Sequence, residues 1–564
     1  MKATPLRTVL ALLLVFVLAA CTAPTGPNQA ANPQQPAPGQ PAPGNVAVDP
    51  RTTGDAPTDP ARSLTIVAGS EQQSVLANVV LPWCRDRGYS CSWSLLGSVD
   101  QARLLQSGSF DNDAFWFASS VFSQMGNTNG NLRDAEPMFL TPIVFAAKPE
   151  VLTRLGLTGD ATAQQVMDAT ESGKARVWAT NPTQSNSGAT VLFSFLNFVA
   201  GNPPGQALTM EQLASPQVVD GMQRFFGALD QTPPSTGTMT NLCVEQPDQC
   251  EAMFTYEDLV IEKNLELTRA GQEPFHVIYP RGALGISDAP LGFVDHGQPG
   301  ADAKYQIFTE LKSYLTSDPD AQARLLAMGR RPAAGIGLSI ADPDTRVFNP
   351  DWGIQATIRE QGITFPQADV IARALDSYHG QLRRPVSVYY CLDGSGSMKG
   401  NEGWAGIQQA ATALFDPAES ARNLLQTAAG DATTVAVFNS GRAAGPWTVE
   451  GNADAELTRL KDQVQRHRPG GGTNMYGCLA DAVTALKDDQ RKRLIVVMSD
   501  GQSERHRVDS TVQALQAADV PVIAIAFGDD ADPEQLREVA QASGGAFVQK
   551  SDMVAALREA AGYK

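Results

Sequence analysis

The segment that most constrains this chain is Asp393-Gly-Ser395-Gly-Ser397-Met, which directly follows the apolar run 386–392. The apolar run predicts a buried strand, so one carboxylate and two hydroxyls lie on the turn that leaves it. The glycines between them allow a tight turn that points all three oxygens into one small volume. Oxygen ligands on a rigid turn suit a hard divalent cation such as Mg²⁺.

Two later segments supply further oxygen ligands. Residues 470–474 read Gly-Gly-Gly-Thr473-Asn, precede a helical pattern and offer a hydroxyl. Residues 494–501 form a second apolar strand pattern, which leads into Asp500. In open α/β sheets, ligands bind at the carboxyl ends of the strands, which is where these residues fall.

The three segments together resemble the metal-ion-dependent adhesion site of von Willebrand factor A domains. The family pattern is Asp-x-Ser-x-Ser, then a Thr, then an Asp, and it is matched in order by Asp393, Ser395, Ser397, Thr473 and Asp500. The resemblance covers residues 385–564. It implies a Mg²⁺ (or Mn²⁺) ion bound directly by the hydroxyls, with the Asp residues acting partly through water, and an open position that takes a carboxylate from a partner protein. The alternative is an ordinary polar turn.

The same stretch, 385–564, is predicted to fold as a doubly wound, Rossmann-like α/β domain. Apolar strand patterns at 433–438, 494–498 and 520–527 alternate with helical patterns such as 479–486. This alternation predicts a mostly parallel sheet that is covered on both faces.

We interpret this domain as a binding module and not as an enzyme. Neutral hydroxyl ligands leave a cation much of its charge, which attracts an anion. A catalytic metal would need a general base nearby, and the histidines of the domain, His467 and His506, lie outside the motif segments. The pattern Gly-x-Ser-x-Gly of a hydrolase nucleophile is not met at residues 394–398.

The start of the chain has the pattern of an export signal. Residues 1–7 include Lys2 and Arg7, and the apolar run 9–20 is too short to span a membrane but suits a signal-peptide core. The run ends Leu-Ala-Ala-Cys21, which resembles the lipobox of bacterial lipoproteins and implies lipid on Cys21. The alternative is a plain signal peptide cleaved near Ala20. We therefore expect an extracytoplasmic, membrane-anchored lipoprotein of a bacterium.

The predicted leader spans 1–21, and residues 22–62 form a spacer rich in Pro, Gln, Ala, Gly and Asn. This composition offers little to bury, so we expect a disordered segment between the membrane and the folded part. The net charge of −17 argues against nucleic acid as a partner and against a polybasic membrane contact. The expected contact with a membrane is through the lipid anchor only.

Seven cysteines are present, and six remain once Cys21 is assigned to lipid. An even number suits disulfides in an oxidising compartment. Two pairs are close in sequence and could each staple a local loop: Cys84 with Cys91, and Cys243 with Cys250. Six cysteines allow about fifteen pairings, so the connectivity stays open.

The last two cysteines flank the predicted metal site. Cys391 lies in the strand before the metal turn, and Cys478 lies in the helix after Thr473. A bridge between them could lock two ligand segments together. We favour buried free thiols at both positions.

Residues 63–335 alternate strand and helix patterns, which is typical of an α/β protein with ligand loops at strand ends. The order of the segments resembles type II periplasmic solute-binding proteins of bacterial transporters, whose two α/β lobes close on a ligand. The matching stretches are 68–71, 117–120, 141–144, 181–188, 254–258 and 277–280.

The resemblance implies a cleft with four candidate ligand-binding residues, which are Ser70, Ser119, Ser187 and Tyr256. Ser70 and Ser187 precede helices, where free N–H groups and the helix dipole favour a small anionic or polar ligand. Small polar residues at such positions are also ordinary helix caps. Tyr256 lies beside Glu257, and both are candidates to face the cleft, although such a pair is also common as half-buried structure.

Residues 336–384 are interpreted as a connector between the two domains. The pairing of domain types predicts a binding protein that recognises the acidic side chain of a partner protein at its cation site and senses a small ligand in its cleft. The alternative is the solute-binding component of a transporter.

Overall fold

The computed structural model of the chain describes residues 52–203, 205–297, 300–333, 338–400, 403–500, 503–504, 508–526, 533–549 and 553–563. Cys21, the leader and most of the spacer lie outside the described residues, so the lipid anchor stays a prediction. Within the part of the chain that is described, no helix combines the length and the apolar composition needed to cross a membrane.

The N-terminal part of the chain, residues 52–382, is an α/β structure with two lobes. Its strands are β1 (Thr53–Gly54), β2 (Ser63–Ala68), β3 (Ser90–Leu95), β4 (Ala114–Trp116), β5 (Leu132–Pro137), β6 (Phe139–Ala147), β7 (Val177–Trp178), β8 (Ala252–Tyr256), β9 (His276–Ile278), β10 (Ile286–Ser287), β11 (Pro290–Val294), β12 (Arg331–Pro332), β13 (Leu338–Ser339) and β14 (Thr357–Ile358). Its α-helices are α1 (Gln73–Val75), α2 (Leu81–Asp86), α3 (Ser98–Ser107), α4 (Ser120–Gly126), α5 (Pro149–Leu155), α6 (Ala163–Glu171), α7 (Asn186–Val199), α8 (Met210–Leu213), α9 (Pro216–Gly227), α10 (Thr236–Glu245), α11 (Glu257–Arg269), α12 (Ala301–Ser317), α13 (Pro319–Ala327) and α14 (Ala368–Ser377). Two π-helical turns, Leu76–Val80 and Tyr378–Leu382, join α1 to α2 and extend α14.

Each lobe is built on its own sheet. In lobe I the strand order is β1-β3-β2-β4-β11-β5, with β2 parallel to β3 and β4 and with β11 antiparallel to both of its neighbours. In lobe II the order is β10-β6-β8-β7, and β9 and β12 also pair with β6. The chain crosses between the lobes after β5, after β10 and after α13. The predicted two-lobed α/β architecture is therefore confirmed.

The ordered part of lobe I begins before the predicted boundary at residue 63. β1 pairs with β3, and Asp55 forms an ion pair with Arg85 at 2.8 Å. Backbone pairing at a sheet edge needs no apolar side chains, which is why the polar composition of this stretch predicts a spacer instead. The end of the predicted disordered segment 22–62 is thus wrong.

Residues 338–382, interpreted as part of a connector, are an integral layer of lobe II. β13 pairs with β14, and Phe348 and Trp352 are buried in the same apolar cluster as Val144 and Val277. α14 packs against α7, and the Tyr378 ring lies 5.1 Å from the Phe226 ring. These contacts join segments that are far apart in sequence, so local patterns do not reveal them.

The C-terminal part, residues 386–563, is a second α/β unit. Its strands are β15 (Val386–Asp393), β16 (Ala432–Phe438), β17 (Arg442–Glu450), β18 (Lys492–Ser499), β19 (Val522–Ala526) and β20 (Ala546–Gln549). Its helices are α15 (Gly403–Phe415), α16 (Pro417–Arg422), α17 (Asp454–Arg466), α18 (Met475–Leu486), α19 (Val508–Ala518), α20 (Glu534–Ala542) and α21 (Met553–Ala561). The sheet order is β17-β16-β15-β18-β19-β20, and every pairing is parallel except that of the edge strand β17. Apolar clusters cover both faces, which confirms the predicted doubly wound fold.

Lobe II and the C-terminal unit meet at a buried ion pair. Arg383 donates to both carboxylate oxygens of Asp431, one of them at 3.0 Å. The same carboxylate accepts from the backbone N–H of Val386 at 2.9 Å and of Ala428 at 2.8 Å. Burial alone would raise the pKa of Asp431, but the charge and hydrogen bonds of Arg383 outweigh it and hold the pKa below its ordinary value. Both oxygens of the Asp431 carboxylate are thus bonded, and a buried pair held by several hydrogen bonds favours one geometry.

Candidate functional site

The predicted metal turn lies where β15 ends, in the middle of the C-terminal sheet. Asp393 is buried and its carboxylate accepts from Ser395 N at 2.8 Å and from Ser499 Oγ at 2.6 Å. Ser499 closes the neighbouring strand β18, which runs parallel to β15. The hydroxyls of Ser395 and Ser397 lie 3.0 Å apart. Two adjacent strands thus bring one carboxylate and three hydroxyls to the same edge of the sheet.

The loop that carries Thr473 is attached to this turn through its backbone. Gly396 N donates to the Gly471 carbonyl at 3.0 Å, and Gly470 N donates to the Gly394 carbonyl at 2.8 Å. Gly471 has φ +93°, a backbone conformation that residues other than glycine rarely adopt. Glycines are therefore required here to lay the two loops against each other with Thr473 at the end of the second.

The third predicted segment follows β18 and completes the arrangement. Asp500 comes directly after Ser499, and the Thr473 carbonyl accepts from Glu504 N at 2.9 Å and from Ser503 Oγ at 3.2 Å. The loop after β18 is thus bound to the loop that carries Thr473. The structure brings the three segments of the predicted site together.

The electrostatics of the site fit a cation. Burial raises the pKa of Asp393, hydrogen bonds from Ser499 and Ser395 oppose that shift, and the nearby charge of Asp500 raises it again. Asp500 Oδ1 is buried without a hydrogen-bond partner in the part of the chain that the structure describes. An unpaired buried carboxylate oxygen beside a second carboxylate is costly unless positive charge offsets it.

The donor set is also the one that a hard divalent ion prefers. Among the described residues no group of three or more His, Cys, Asp or Glu side chains could hold a metal ion, so any cation at this edge depends on hydroxyl ligands. Carboxylate and hydroxyl oxygens suit Mg²⁺ or Mn²⁺ and do not suit zinc, which favours nitrogen and sulfur. The residues present therefore fit the implied ion.

One neighbour of the site lies outside the predicted set. A Cβ added to Gly394 would meet His467 Nε2 at 2.8 Å and Val437 Cγ1 at 2.6 Å, so the His467 ring packs against the metal turn. Burial lowers the pKa of His467, which favours the neutral ring. Its position just before the glycine-rich loop 470–472 was the available signal in the sequence.

Cys391 and Cys478 form a disulfide, with their Cα atoms 6.1 Å apart. The prediction of free thiols at these positions is wrong. β15 packs directly against α18, and that packing brings two cysteines 87 residues apart in sequence within bonding distance. The bond joins the strand that ends at Asp393 to the helix that follows Thr473. The two local pairs, Cys84–Cys91 and Cys243–Cys250, are also bonded.

A second candidate site is a cavity of about 290 Å³ between the lobes. Its wall includes Ser70 and Glu71 of lobe I, and Gln184 and Asn186 of lobe II. The helices α3 and α7 both begin at the cavity, and neither is capped by the side chain of its N-cap residue, although Gly188 N in the first turn of α7 donates to Thr180 Oγ1 at 2.8 Å. Free N–H groups at such ends favour an anion or a polar acceptor.

The four predicted ligand residues have different positions. Ser70 lines the cavity, and its Oγ accepts from Gly237 N of lobe II at 3.1 Å. Ser187 lies one residue behind the wall, where its hydroxyl is bonded to Thr180 and Thr236, and Tyr256 lies behind it too, with its hydroxyl bonded to Asn186 at 2.8 Å. Ser119 is outside the wall and caps α4 by accepting from Val121 N at 3.3 Å.

Glu257, the other candidate to face the cleft, points elsewhere. Its carboxylate pairs with Arg331 through two hydrogen bonds of 2.8 and 2.9 Å, and it accepts from the Tyr279 hydroxyl at 2.5 Å. All three side chains are buried. For Glu257 the structure therefore supports the alternative of ordinary buried structure, in which the carboxylate is held by strong donors.

Sequence reasoning missed a group of buried charges behind the cavity. Burial raises the pKa of Glu71 to about 7, and Glu71 Oε1 lacks a hydrogen-bond partner among the described residues. Burial likewise raises the pKa of Asp258 to about 6, although Arg330 lies 3.2 Å away and opposes the shift. Glu71 directly follows Ser70, so the signal was the acidic neighbour of a predicted site residue. Acids with raised pKa values beside a cavity are typical of functional sites.

Residues 387–561 match the family model of the von Willebrand factor type A domain. The C-terminal unit is therefore a von Willebrand factor type A domain. A structure titled "von Willebrand factor type A from Catenulispora acidiphila" is similar to it, with 22% identity over 32% of this chain and 42% of that chain, and a TM-score of 0.27.

The two-lobed part is similar to periplasmic binding proteins. One is the periplasmic binding protein P5PA, with 12% identity over 57% of this chain and 99% of that chain, and a TM-score of 0.40. Another is the periplasmic binding protein AfuA from Actinobacillus pleuropneumoniae, solved with fructose-6-phosphate, with 11% identity over 57% of this chain and 98% of that chain, and a TM-score of 0.43. No functionally curated protein matches the sequence. The chain thus combines a two-lobed α/β part with a C-terminal von Willebrand factor type A domain.

Proposed function

We propose that this protein is an extracytoplasmic binding protein that recognises an acidic side chain of a partner protein through a divalent cation at its C-terminal domain. The observation that carries the proposal is the buried Asp500 Oδ1, which has no hydrogen-bond partner among the described residues, beside Asp393 and the paired hydroxyls of Ser395 and Ser397. A bound Mg²⁺ or Mn²⁺ would supply Lewis acidity for a carboxylate, and Asp393, Ser395, Ser397, Thr473 and Asp500 would hold it. The role we propose is binding without catalysis.

Calorimetric titration of the full chain with Mg²⁺ and Mn²⁺ tests the cation site. Asp393→Ala and Thr473→Ala are expected to lose measurable binding, since each removes an oxygen ligand or its support. Asp481→Ala is the matched control, because Asp481 lies on the surface of the same domain in an ion pair with Arg442. Circular dichroism confirms that each variant is folded. Unchanged affinity in both site variants would rule out this site.

We further propose that Cys21 carries lipid and anchors the protein to a membrane. The support is the sequence pattern at residues 9–21, which lies outside the described residues. Cys21→Ala should release the protein from the membrane fraction or leave the leader uncleaved. A Cys21→Ala chain that is still processed and acylated would contradict the lipobox interpretation.

A second candidate function is capture of a small polar or anionic ligand between the lobes, as in the solute-binding component of a transporter. The cavity of about 290 Å³, with the starts of two helices on its wall, supports it. Inorganic phosphate and glucose are suitable probes in thermal-shift measurements. Asn186→Leu should abolish the stabilisation by either probe, whereas the control Asn129→Leu, at an exposed loop position of lobe I, should keep it. That result would support the cleft as the binding site. The absence of a thermal shift with both probes would count against it.

A further inference from the structure

The last helix of the von Willebrand factor domain forms one wall of the cavity between the lobes. α21 contributes Val554, Ala555, Arg558 and Glu559 to that wall, and Tyr563 follows just beyond it. A binding cleft of a two-lobed domain is thus covered in part by a different domain of the same chain. The question is which of the two lobes the helix holds, and how.

One guanidinium connects all three bodies. Arg558 is 5% exposed and pairs with Asp100 of lobe I, with Nη2 to Oδ1 at 2.7 Å and Nε to Oδ2 at 3.3 Å. Arg558 Nη2 also donates to the Thr183 carbonyl of lobe II at 3.0 Å. Nη1 donates to the Asn423 carbonyl of its own domain at 2.5 Å. Arg558 is therefore bonded to lobe I through Nε and Nη2, to lobe II through Nη2 and to its own domain through Nη1.

The helix also makes backbone-directed contacts with lobe II. Gln184 donates to the Arg558 carbonyl, and Thr232 donates to the Gly562 carbonyl at 2.9 Å. The Arg383–Asp431 pair fixes the whole domain to the end of lobe II. On the side of lobe I, Asp100 pairs with Arg558, and Arg103 donates a hydrogen bond to the Arg422 carbonyl.

We propose that α21 is a latch that holds lobe I closed over the cleft, with Arg558 and Asp100 as its two halves. Lobe I can swing away only by breaking this pair, whereas lobe II keeps its contacts with the helix. This inference goes beyond the proposed cation site and does not depend on it, because none of the latch residues belongs to that site.

Opening of the cleft must break a buried ion pair. Asp100 is 8% exposed, so opening must transfer a carboxylate and a guanidinium from a paired, buried state to water. Removing one partner leaves the other buried without its main counter-charge, although Arg103 remains 3.4 Å from Asp100. The lobes also touch directly, since Gly237 N donates to Ser70 Oγ and Ser74 donates to Glu262 at 2.6 Å. Loss of the latch should therefore increase the frequency of opening without separating the lobes completely.

Hydrogen exchange of the full chain in EDTA tests the latch apart from the cation site. Arg558→Gln and Asp100→Asn should each speed exchange about tenfold in two peptides that face each other across the cleft, 97–104 and 183–188. Strand β2, which is buried in lobe I, should keep its protection and so report that the lobe stays folded. Arg442→Ala is the matched control, since it removes an arginine ion pair on the exposed surface of the same domain.

Small-angle X-ray scattering on the same variants should show a larger radius of gyration than in the wild-type chain or the control. Arg558→Lys keeps the positive charge but lacks the planar guanidinium, so its radius of gyration should be intermediate between those of the wild-type chain and Arg558→Gln. The proposal is overturned if both peptides exchange at the wild-type rate in Arg558→Gln and Asp100→Asn. It is also overturned if only α21 gains exchange, because the lobes would then stay closed without the latch.

Discussion

The two sites of this chain both lie near the ends of strands, but they are built in different ways. The cation edge is the proposed site at the ends of β15 and β18. There the candidate oxygen ligands lie at the end of a strand or on the short loops that follow, and two of these loops are bonded to each other through their backbones, as between Gly396 and Gly471. In the cleft, the wall collects side chains from segments as distant as Glu71, Gln184 and Arg558. The first site is specified by local sequence and parallel strand order. The second is specified by how three folded bodies close on one another.

The difference determines which substitutions each site tolerates. A loop cluster depends on glycines and on the covalent bond beneath it, so backbone changes should damage it most. A cleft between bodies depends on buried charge pairs, so neutralising one charge should alter its closure and its pH dependence. The following predictions test this contrast.

The largest effect is expected from the disulfide beneath the cation edge. Replacing Cys391 and Cys478 by Ala opens a loop with a sequence separation of 87, and the chain-entropy model gives a loss of about 4 kcal/mol in the free energy of unfolding. Replacing Cys243 and Cys250, separated by 7, should cost about 2 kcal/mol. Differential scanning calorimetry measures both. Equal costs would show that loop length does not set the contribution.

The second-largest loss in the free energy of unfolding is expected at the junction between lobe II and the C-terminal domain. Asp431→Asn leaves Arg383 buried without its counter-charge and weakens or removes four hydrogen bonds, which should cost about 3 kcal/mol. The pKa of Asp431 is held below its ordinary value, so its contribution is present above the unfolded pKa and is lost as the pH falls through the folded pKa. Chemical unfolding at pH 7 and at acid pH checks this, with exposed Asp481→Asn as the control. A junction variant as stable as the control would contradict the assignment.

A smaller effect with the opposite pH dependence is expected in the cleft. The pKa of Glu71 is about 7, above its ordinary 4.5, so the folded chain binds more protons than the unfolded chain between these values. Its favourable contribution is complete below the unfolded pKa and is lost as the pH rises through 7. Glu71→Gln should therefore stabilise the chain by about 2 kcal/mol at pH 8 and by little at pH 4. Exposed Glu245→Gln should show no such dependence; a pH-independent effect of Glu71→Gln would contradict the raised pKa.

The smallest effect concerns the close approach at Gly394. An added Cβ would meet Val437 and His467 at less than 3.0 Å, so Gly394→Ala must push the metal turn outward. We expect cation affinity to fall about tenfold, with a cost in stability of about 1 kcal/mol. Gly441→Ala is the control, since nothing lies within 4 Å of its Cβ. Equal cation affinities in Gly394→Ala and Gly441→Ala would show that the turn at Gly394 accommodates a Cβ atom without displacement.

The cation edge could be predicted from sequence because its information is local. Asp393, Thr473 and Asp500 each follow an apolar strand or precede a helix, and parallel strand order then places them at one edge. The disulfide at Cys391 could not be predicted in the same way, because it depends on how α18 packs on β15. The fold class could also be predicted, because the alternation of apolar strand patterns and helical patterns is local information in the sequence.

The cleft was predicted less well because its residues have several possible roles. Ser119 and Ser187 both lie at the starts of helices, yet Ser119 caps its helix and the Ser187 hydroxyl is bonded to the buried hydroxyls of Thr180 and Thr236. Glu71 and Arg558 are ionisable residues of the cavity wall, and they are 487 positions apart in the sequence. No periodic pattern links such residues, so only the folded chain reveals them.

The junction at Arg383 also determines how the chain would carry tension. Directly after it the backbone enters β15, the central strand of the sheet, and that strand ends at the cation edge. A pull on a partner bound at that edge would therefore travel along one covalent strand into lobe II. Lobe I lies beside this line and is reached from the C-terminal domain through side chains such as Arg558 and Arg103. Lobe II would therefore receive the force through the covalent chain, whereas lobe I would receive it through the non-covalent contacts of the Arg558–Asp100 latch. Such contacts break before a covalent chain does.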